Sequence, residues 1–176
     1  METSATTARI AVIGVGNAFR HDDGVGWAVV DRLAQRRKRL PLSHSVRFTC
    51  TDGDPMRLIS AWEDVRLAIV VDAACARPAR PGRVQRLRVG GDTPQPPRGG
   101  TSSHGFALDD TVRLAHALDR LPGDLLVYGV EAADISLGLG LSPQVAAAVG
   151  PLVQRIEQDI AHCVPGSDHR LGIFKS

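Results

Sequence analysis

The chain has 176 residues, of which 43% are apolar and 23% charged, and its formal net charge is +2. These values are typical of one globular domain with a sizeable core. The net charge is too small to indicate a nucleic-acid partner, and no apolar run reaches the roughly 18 residues that a membrane-spanning helix needs. We therefore expect no nucleic-acid and no membrane partner.

Five segments have the apolar composition of β-strands: residues 9–14, 46–51, 67–73, 83–89 and 125–130. The first and third contain continuous apolar runs, which indicates strands covered on both faces. The fourth mixes polar and apolar residues, as an edge strand does.

Helical patterns lie between these strands. Val25, Val29 and Leu33 recur at four-residue spacing, and residues 108–118 carry apolar side chains on one face. A third helix begins at Ser142-Pro143, where a capping residue is followed by proline at the first helical position. We expect Gly150-Pro151 to kink or split that helix. The alternation predicts an α/β fold, a three-layer α/β/α sandwich with a mostly parallel, roughly five-stranded sheet, in which an edge strand can be antiparallel.

The whole folded region is expected to form a single α/β domain at residues 9–163, with flexible termini at 1–8 and 164–176. Residues 90–103 are rich in Gly, Pro, Thr and Ser, which predicts a long loop.

Three widely spaced cysteines, Cys50, Cys75 and Cys163, fit neither a zinc motif nor a disulfide framework. We expect buried, inert thiols at Cys50 and Cys75, because both lie at or just after apolar strands. Unpaired cysteines fit a reducing cytoplasm.

Two adjacent carboxylates, Asp22 and Asp23, follow the first strand and its turn, Gly14-Val-Gly-Asn17. A dinucleotide fingerprint would need a third glycine where Phe19 stands, and the two carboxylates would repel its pyrophosphate. A Gly-Lys-Ser/Thr sequence, which a P-loop requires, does not occur. We expect one carboxylate to cap the following helix and the other to face the strand ends.

Two further candidates stand at the ends of other elements. Asp72 follows a buried apolar run, where an unpaired carboxylate is costly, although a helix cap or a loop hydrogen bond is an alternative role. His104 immediately precedes the helical pattern at 108–118, and its alternative role is that of a solvent-exposed loop residue. Asp52 and Asp54 are weaker candidates, because Asp52-Gly-Asp54 is also ordinary turn chemistry.

Asp23, Asp72 and His104 can converge at one edge of the predicted sheet. Two carboxylates and one imidazole suit a borderline divalent ion such as Ni²⁺ or Zn²⁺. Three protein ligands leave positions for water or substrate, so we expect a catalytic or metal-sensing site.

Taken in order along the chain, the motifs resemble those of the [NiFe]-hydrogenase maturation endopeptidases. The resemblance covers about residues 9–162 and rests on Gly14-Val-Gly-Asn17, Asp22-Asp-Gly-Val-Gly26, Val70-Val-Asp72-Ala73, Ser103-His-Gly-Phe-Ala-Leu108, Val127-Tyr-Gly-Val-Glu131 and Gly140-Leu-Ser-Pro143. It implies an endopeptidase that removes the C-terminal extension of a [NiFe]-hydrogenase large-subunit precursor after nickel insertion.

The resemblance also implies a catalytic role and metal contacts for Asp23, Asp72 and His104. The nickel ion would be supplied by the substrate, and other divalent ions such as Zn²⁺ or Cd²⁺ could take its place in vitro. Two alternatives share these residues: a non-catalytic, metal-dependent chaperone or docking factor on the same fold, and a hydrolase of another small substrate.

Overall fold

The computed structural model describes residues 10–37, 45–89 and 105–163. Its strands are β1 Ile10–Val15, β2 Val46–Thr51, β3 Leu67–Ala74, β4 Val84–Val89 and β5 Asp124–Glu131. Its α-helices are α1 Val25–Gln35, α2 Pro55–Ala61, α3 Gly105–Ala117 and α4 Pro143–His162, and a short 3-10 helix, His21–Gly24, precedes α1. The predicted strand bounds agree with these strands to within one residue at each end. The expectations for both termini and for the loop at 90–103 lie outside the described residues.

The strands form one mostly parallel sheet in the order β2-β1-β3-β5-β4. β1 pairs in parallel with β2 and β3, and β3 pairs in parallel with β5. β4 pairs antiparallel with β5 and lies at the edge, as its mixed composition predicts. The predicted fold class is confirmed.

Helices cover both faces of this sheet, because alternate side chains of a strand point to opposite sides. On one face, Ile69 and Val71 of β3 share a core with α1 and α4. On the other face, Ala68 and Val70 share a core with α2 and α3. β1 is buried along its whole length between the two layers. The sheet is therefore the middle layer of a three-layer domain.

Two features of the helices differ from the sequence prediction. α2 was not predicted, although Asp54-Pro55 carries a start signal: the Asp54 carboxylate accepts the N–H of Arg57 at 2.9 Å, and proline follows at the first helical position. Of the predicted kink or split at Gly150-Pro151, the split does not occur, because α4 runs on to His162. Glycine has no Cβ to clash with the proline that follows it, and the flanking Val149 and Leu152 are buried in the core. None of the described helices combines the length and the apolar character needed to cross a membrane.

Candidate functional site

The turn after β1 brings the chain back against the carboxyl ends of the strands. Gly16 has a φ of +125°, and a Cβ at this position would collide with the backbone carbonyl of Asp23. The start of α1 is equally close to the sheet, because a Cβ on Gly26 would collide with the Val71 carbonyl of β3. Only glycine permits these two approaches, so the glycines place the Asp22-Asp23 pair directly over the strand ends.

Asp23 lies in the 3-10 helix with 8% of its surface exposed. Its carboxylate Oδ2 accepts the backbone N–H of Asn17 at 3.0 Å, which fixes the orientation of the side chain. Within the described parts of the chain, Oδ1 accepts no hydrogen bond. A nearly buried carboxylate with one oxygen to spare is suited to bind a cation.

Asp22 has a structural role that differs from that of Asp23, as expected for adjacent residues whose side chains point in different directions. It is fully buried, and its Oδ2 accepts the N–H groups of Ala133 and Asp134 at 2.8 and 3.0 Å. The backbone N–H and the hydroxyl of Ser142 complete the set, at 2.7 Å to Oδ1 and 2.9 Å to Oδ2. Neither carboxylate caps the 3-10 helix or α1, so the capping prediction is wrong. Asp22 instead ties the segment between β5 and α4 to the site.

The pKa of the Asp22 carboxyl group follows from its burial and from these four hydrogen bonds. Burial alone raises the pKa of its carboxyl group, because a charge loses its hydration. The N–H groups of Ser142, Asp134 and Ala133 and the Ser142 hydroxyl together outweigh burial, and the net pKa lies below the ordinary value. Asp22 is therefore a stable anion and an anchor.

Asp72 lies near the carboxyl end of β3, where it is half-buried. By strand alternation it shares the face of Ala68 and Val70, which α2 and α3 cover. The 3-10 helix that carries Asp23 packs against β3, the strand next to β1. The chain leaves β1 toward β2 on one side, while β3 adjoins β5 on the other side. The two carboxylates therefore flank a switch point of the sheet, where open α/β folds bind their ligands.

His104 lies outside the described residues, so the structure does not place it relative to the two carboxylates. α3 begins at the next residue, Gly105, and packs on the face of the sheet that Asp72 shares. Within residues 10–37, 45–89 and 105–163, no three His, Cys, Asp or Glu side chains are grouped closely enough to hold a metal ion. The predicted three-residue ligand set stays a prediction.

The weaker acidic candidates form a turn, in agreement with their alternative role. Asp54 caps α2, while Asp52 accepts the N–H of Asp54 at 3.3 Å and pairs with the exposed guanidinium of Arg57 at 3.1 Å. His21 has a φ of +43°, and its Nδ1 lies 3.0 Å from the Gly140 carbonyl oxygen. These residues shape loops at the same edge of the sheet.

The cysteines are all free, but Cys50 is exposed, so the prediction of a buried thiol is wrong there. Cys50 belongs to β2, which lies at the edge of the sheet and is covered less completely than a central strand. Cys75 and Cys163 are half-buried.

Glu131, at the carboxyl end of β5, is a buried carboxylate that the sequence analysis did not single out. It ends β5 with 1% of its surface exposed, and its carboxylate accepts the side-chain amide of Gln85 at 2.9 Å and the N–H of Arg80 at 2.7 Å. Hydrogen bonds from Gln85 and then Arg80 lower the pKa of this carboxyl group. Its position after the apolar run 125–130 is the signal that singled out Asp72. Glu131 holds the connection between β3 and β4 beside the site.

Comparison with known proteins points to one family. The sequence model of the HycI family, described as hydrogenase maturation protease, matches residues 28–159. Hydrogenase 2 maturation protease of Escherichia coli (strain K12) is 28% identical over 148 residues, which cover 84% of this chain and 88% of that protein. Hydrogenase expression/formation protein HupD of Bradyrhizobium diazoefficiens is 28% identical over 165 residues, which cover 92% of this chain and 82% of that protein.

Among solved structures, the fold is similar to that of the [NiFe] hydrogenase maturation protease HybD from Thermococcus kodakarensis. The TM-score is 0.66 at 23% sequence identity, and the match covers 86% of this chain and 99% of that one. The segment matched by the family model includes Asp72 and His104 and begins after Asp23.

Proposed function

The chain belongs to the hydrogenase maturation protease family, and from that premise we propose that it removes the C-terminal extension of a [NiFe]-hydrogenase large-subunit precursor after nickel insertion. Family membership makes the chain an endopeptidase that processes a hydrogenase precursor. The proposal goes beyond family membership in three respects: the substrate is the large subunit, it carries nickel, and cleavage follows nickel insertion. The observation that carries it is the placement of Asp23 and Asp72 at the switch point of the sheet.

In this proposal the nickel ion is part of the substrate. The ion seated in the precursor would contact Asp23, Asp72 and His104. The spare oxygen of Asp23 and the position of Asp72 supply carboxylate ligands, and the start of α3 at Gly105, on the face that Asp72 shares, supports a nearby imidazole. Two oxygens and one nitrogen suit nickel, and Zn²⁺ or Cd²⁺ would compete for the same ligands in vitro.

The chain's own contribution is orientation. Asp23 is fixed by Asn17, and the neighbouring loop is fixed by the four hydrogen bonds of Asp22. A docked precursor would therefore meet groups that are already ordered, and the scissile bond could be positioned with little further loss of entropy. A divalent ion held there would polarise a carbonyl oxygen or activate a water molecule.

We also propose that the reaction takes place in the cytoplasm. The support is that Cys50, Cys75 and Cys163 are all unpaired, as is usual where thiols are kept reduced.

The test is to incubate the protein with nickel-loaded and nickel-free large-subunit precursor and to follow the released peptide by mass spectrometry. We expect cleavage of the nickel-loaded precursor alone. Equal cleavage of both forms would contradict nickel recognition. Tight binding of the loaded precursor with no released peptide would indicate a docking factor instead.

A further inference from the structure

Three large apolar side chains stand out in solvent near the candidate site. Phe19 is 67% exposed, Leu137 78% and Leu139 74%, the highest values among the large apolar side chains of the described residues. Together they are named the apolar ridge here. Isolated exposed apolar residues are common, but a group of them on adjoining segments is typical of a contact surface.

The backbone holds the apolar ridge in one arrangement. The N–H of Gly138 donates to the carbonyl oxygen of Phe19 at 2.9 Å, and the N–H of His21 donates to the carbonyl oxygen of Gly138 at 3.0 Å. Phe19 therefore lies on one of two paired segments, and Leu137 and Leu139 lie on the other, on either side of Gly138. The backbone that carries the ridge is therefore held in place before any partner arrives, which lowers the entropic cost of binding.

The apolar ridge is continuous with the carboxylate site. Asn17 links the two, because its N–H donates to Oδ2 of Asp23 at 3.0 Å while its own Oδ1 accepts the N–H of Phe19 at 2.9 Å. Asp22 fixes the second segment, through the N–H groups of Asp134 on one side of the ridge and Ser142 on the other. The apolar ridge is therefore connected to the carboxylate site through Asn17 on one segment and through the bonds of Asp22 on the other.

A groove of about 600 Å³ extends from this region along α1 and β2. Its apolar lining includes Ala18, Trp27, Phe48 and Leu141. The apolar lining gives the ridge a recess in which a partner's side chain can be buried.

We propose that the apolar ridge and this groove form the docking surface for the folded body of the hydrogenase precursor, separate from the contacts to its nickel. This inference rests on the proposed function. A metal ion bound in another protein can approach Asp23 only if the surface of that protein contacts the residues around Asp23, and the apolar ridge adjoins these residues. A specific interface covers about 800 Å² on each partner, and a few central apolar side chains provide most of its affinity.

The test measures the dissociation constant for nickel-loaded and nickel-free precursor by biolayer interferometry. The variants are Phe19→Ser and the double substitution Leu137→Ser/Leu139→Ser. Leu118→Ser is the matched control, because Leu118 is 46% exposed but follows α3, on the stretch that leads back to the start of β5. Thermal melting checks that every variant folds.

We expect the double variant to bind both forms of the precursor at least about tenfold more weakly, with the ratio between the two forms unchanged. Leu118→Ser should bind as the wild type does. Affinity within twofold of the wild type for both ridge variants would overturn the inference. So would self-association of the wild type that the ridge variants abolish, because the occupant would then be a second copy of this chain.

The same data separate this inference from the proposed function. Equal affinity of the wild type for loaded and nickel-free precursor, with both weakened by the ridge variants, would support the docking surface and contradict nickel recognition. If the wild type prefers the nickel-loaded precursor and the ridge variants keep both that preference and the wild-type affinity, nickel recognition is supported and the docking surface is contradicted.

Discussion

Replacing Asp22 by asparagine should destabilise the protein by about 3 kcal/mol at pH 7. The four groups that bond to this carboxylate are all donors, namely the N–H groups of Ala133, Asp134 and Ser142 and the Ser142 hydroxyl. An asparagine amide turns one acceptor into a donor, so at least one buried N–H loses its partner, at about 1–3 kcal/mol. The remaining bonds lose their charge and weaken by about 1 kcal/mol each, and relief from burying a charge offsets part of the sum.

Urea denaturation measures this change directly, and the melting temperature should fall by roughly 6–12 °C. Asp31→Asn is the matched control, because Asp31 is exposed on α1 and its substitution removes the same charge. The control should stay within about 0.5 kcal/mol of the wild type. Ser142→Ala should cost less in the Asp22→Asn background than in the wild type, because the Ser142 hydroxyl that it removes donates to the charged Asp22 carboxylate.

The effect of Asp22→Asn should also depend on pH. The pKa of Asp22 is lower in the folded state than in the unfolded chain. The stability contributed by its carboxylate is therefore fully present above the unfolded pKa, about 4, and is lost as the pH falls through the lower folded pKa. The difference between wild type and variant should shrink below about pH 4. A variant within 1 kcal/mol of the wild type at pH 7, or a difference that grows on acidification, would refute this account.

Two further predictions concern the turn after β1 and the edge strand β2. Gly16→Ala should lower the free energy of unfolding by at least about 3 kcal/mol, because the new methyl group meets the Asp23 carbonyl. Gly53→Ala is the control: its φ is +90° but the new methyl group makes only ordinary contacts, so it should cost about 1 kcal/mol. Equal losses of stability in urea denaturation would contradict the close approach at Gly16. Although Cys50 is exposed, neighbouring protein atoms displace part of the water around its thiol, and this loss of hydration, followed by the charge of Asp31, raises the pKa of the thiol. Peptide mapping should show slower alkylation of Cys50 than of free cysteine at pH 8 and acceleration in Asp31→Asn, and no change in that variant would count against the coupling.

The strands could be predicted because the pattern of apolar and polar residues in each strand reflects how it is buried. β1 is apolar throughout and is covered on both faces, while β4 mixes polar and apolar residues and lies at an edge of the sheet. α2 was missed because seven residues carry too little periodicity, and its start signal at Asp54-Pro55 also fits a turn.

Residue types predicted that Asp23 and Asp72 lie at the carboxyl ends of the strands, but not which long-range partners each residue has. That Asp22 and Asp23 differ in role follows from their adjacency, whereas the bonds from Asp22 to Ser142 span 120 residues and depend on how α4 packs. The apolar residues before Cys50 predict a buried thiol, and the sequence does not reveal that β2 lies at the edge of the sheet, where Cys50 is exposed.

The central claim is that Asp23, Asp72 and His104 together contact the nickel ion of the precursor. The most direct measurement is the rate at which nickel-loaded precursor is cleaved by Asp23→Ala, Asp72→Ala and His104→Ala, with Asp52→Ala as a control from the same edge of the sheet. The account predicts a loss of at least about a hundredfold for each of the three and a normal rate for the control. Full activity in any of the three would contradict it.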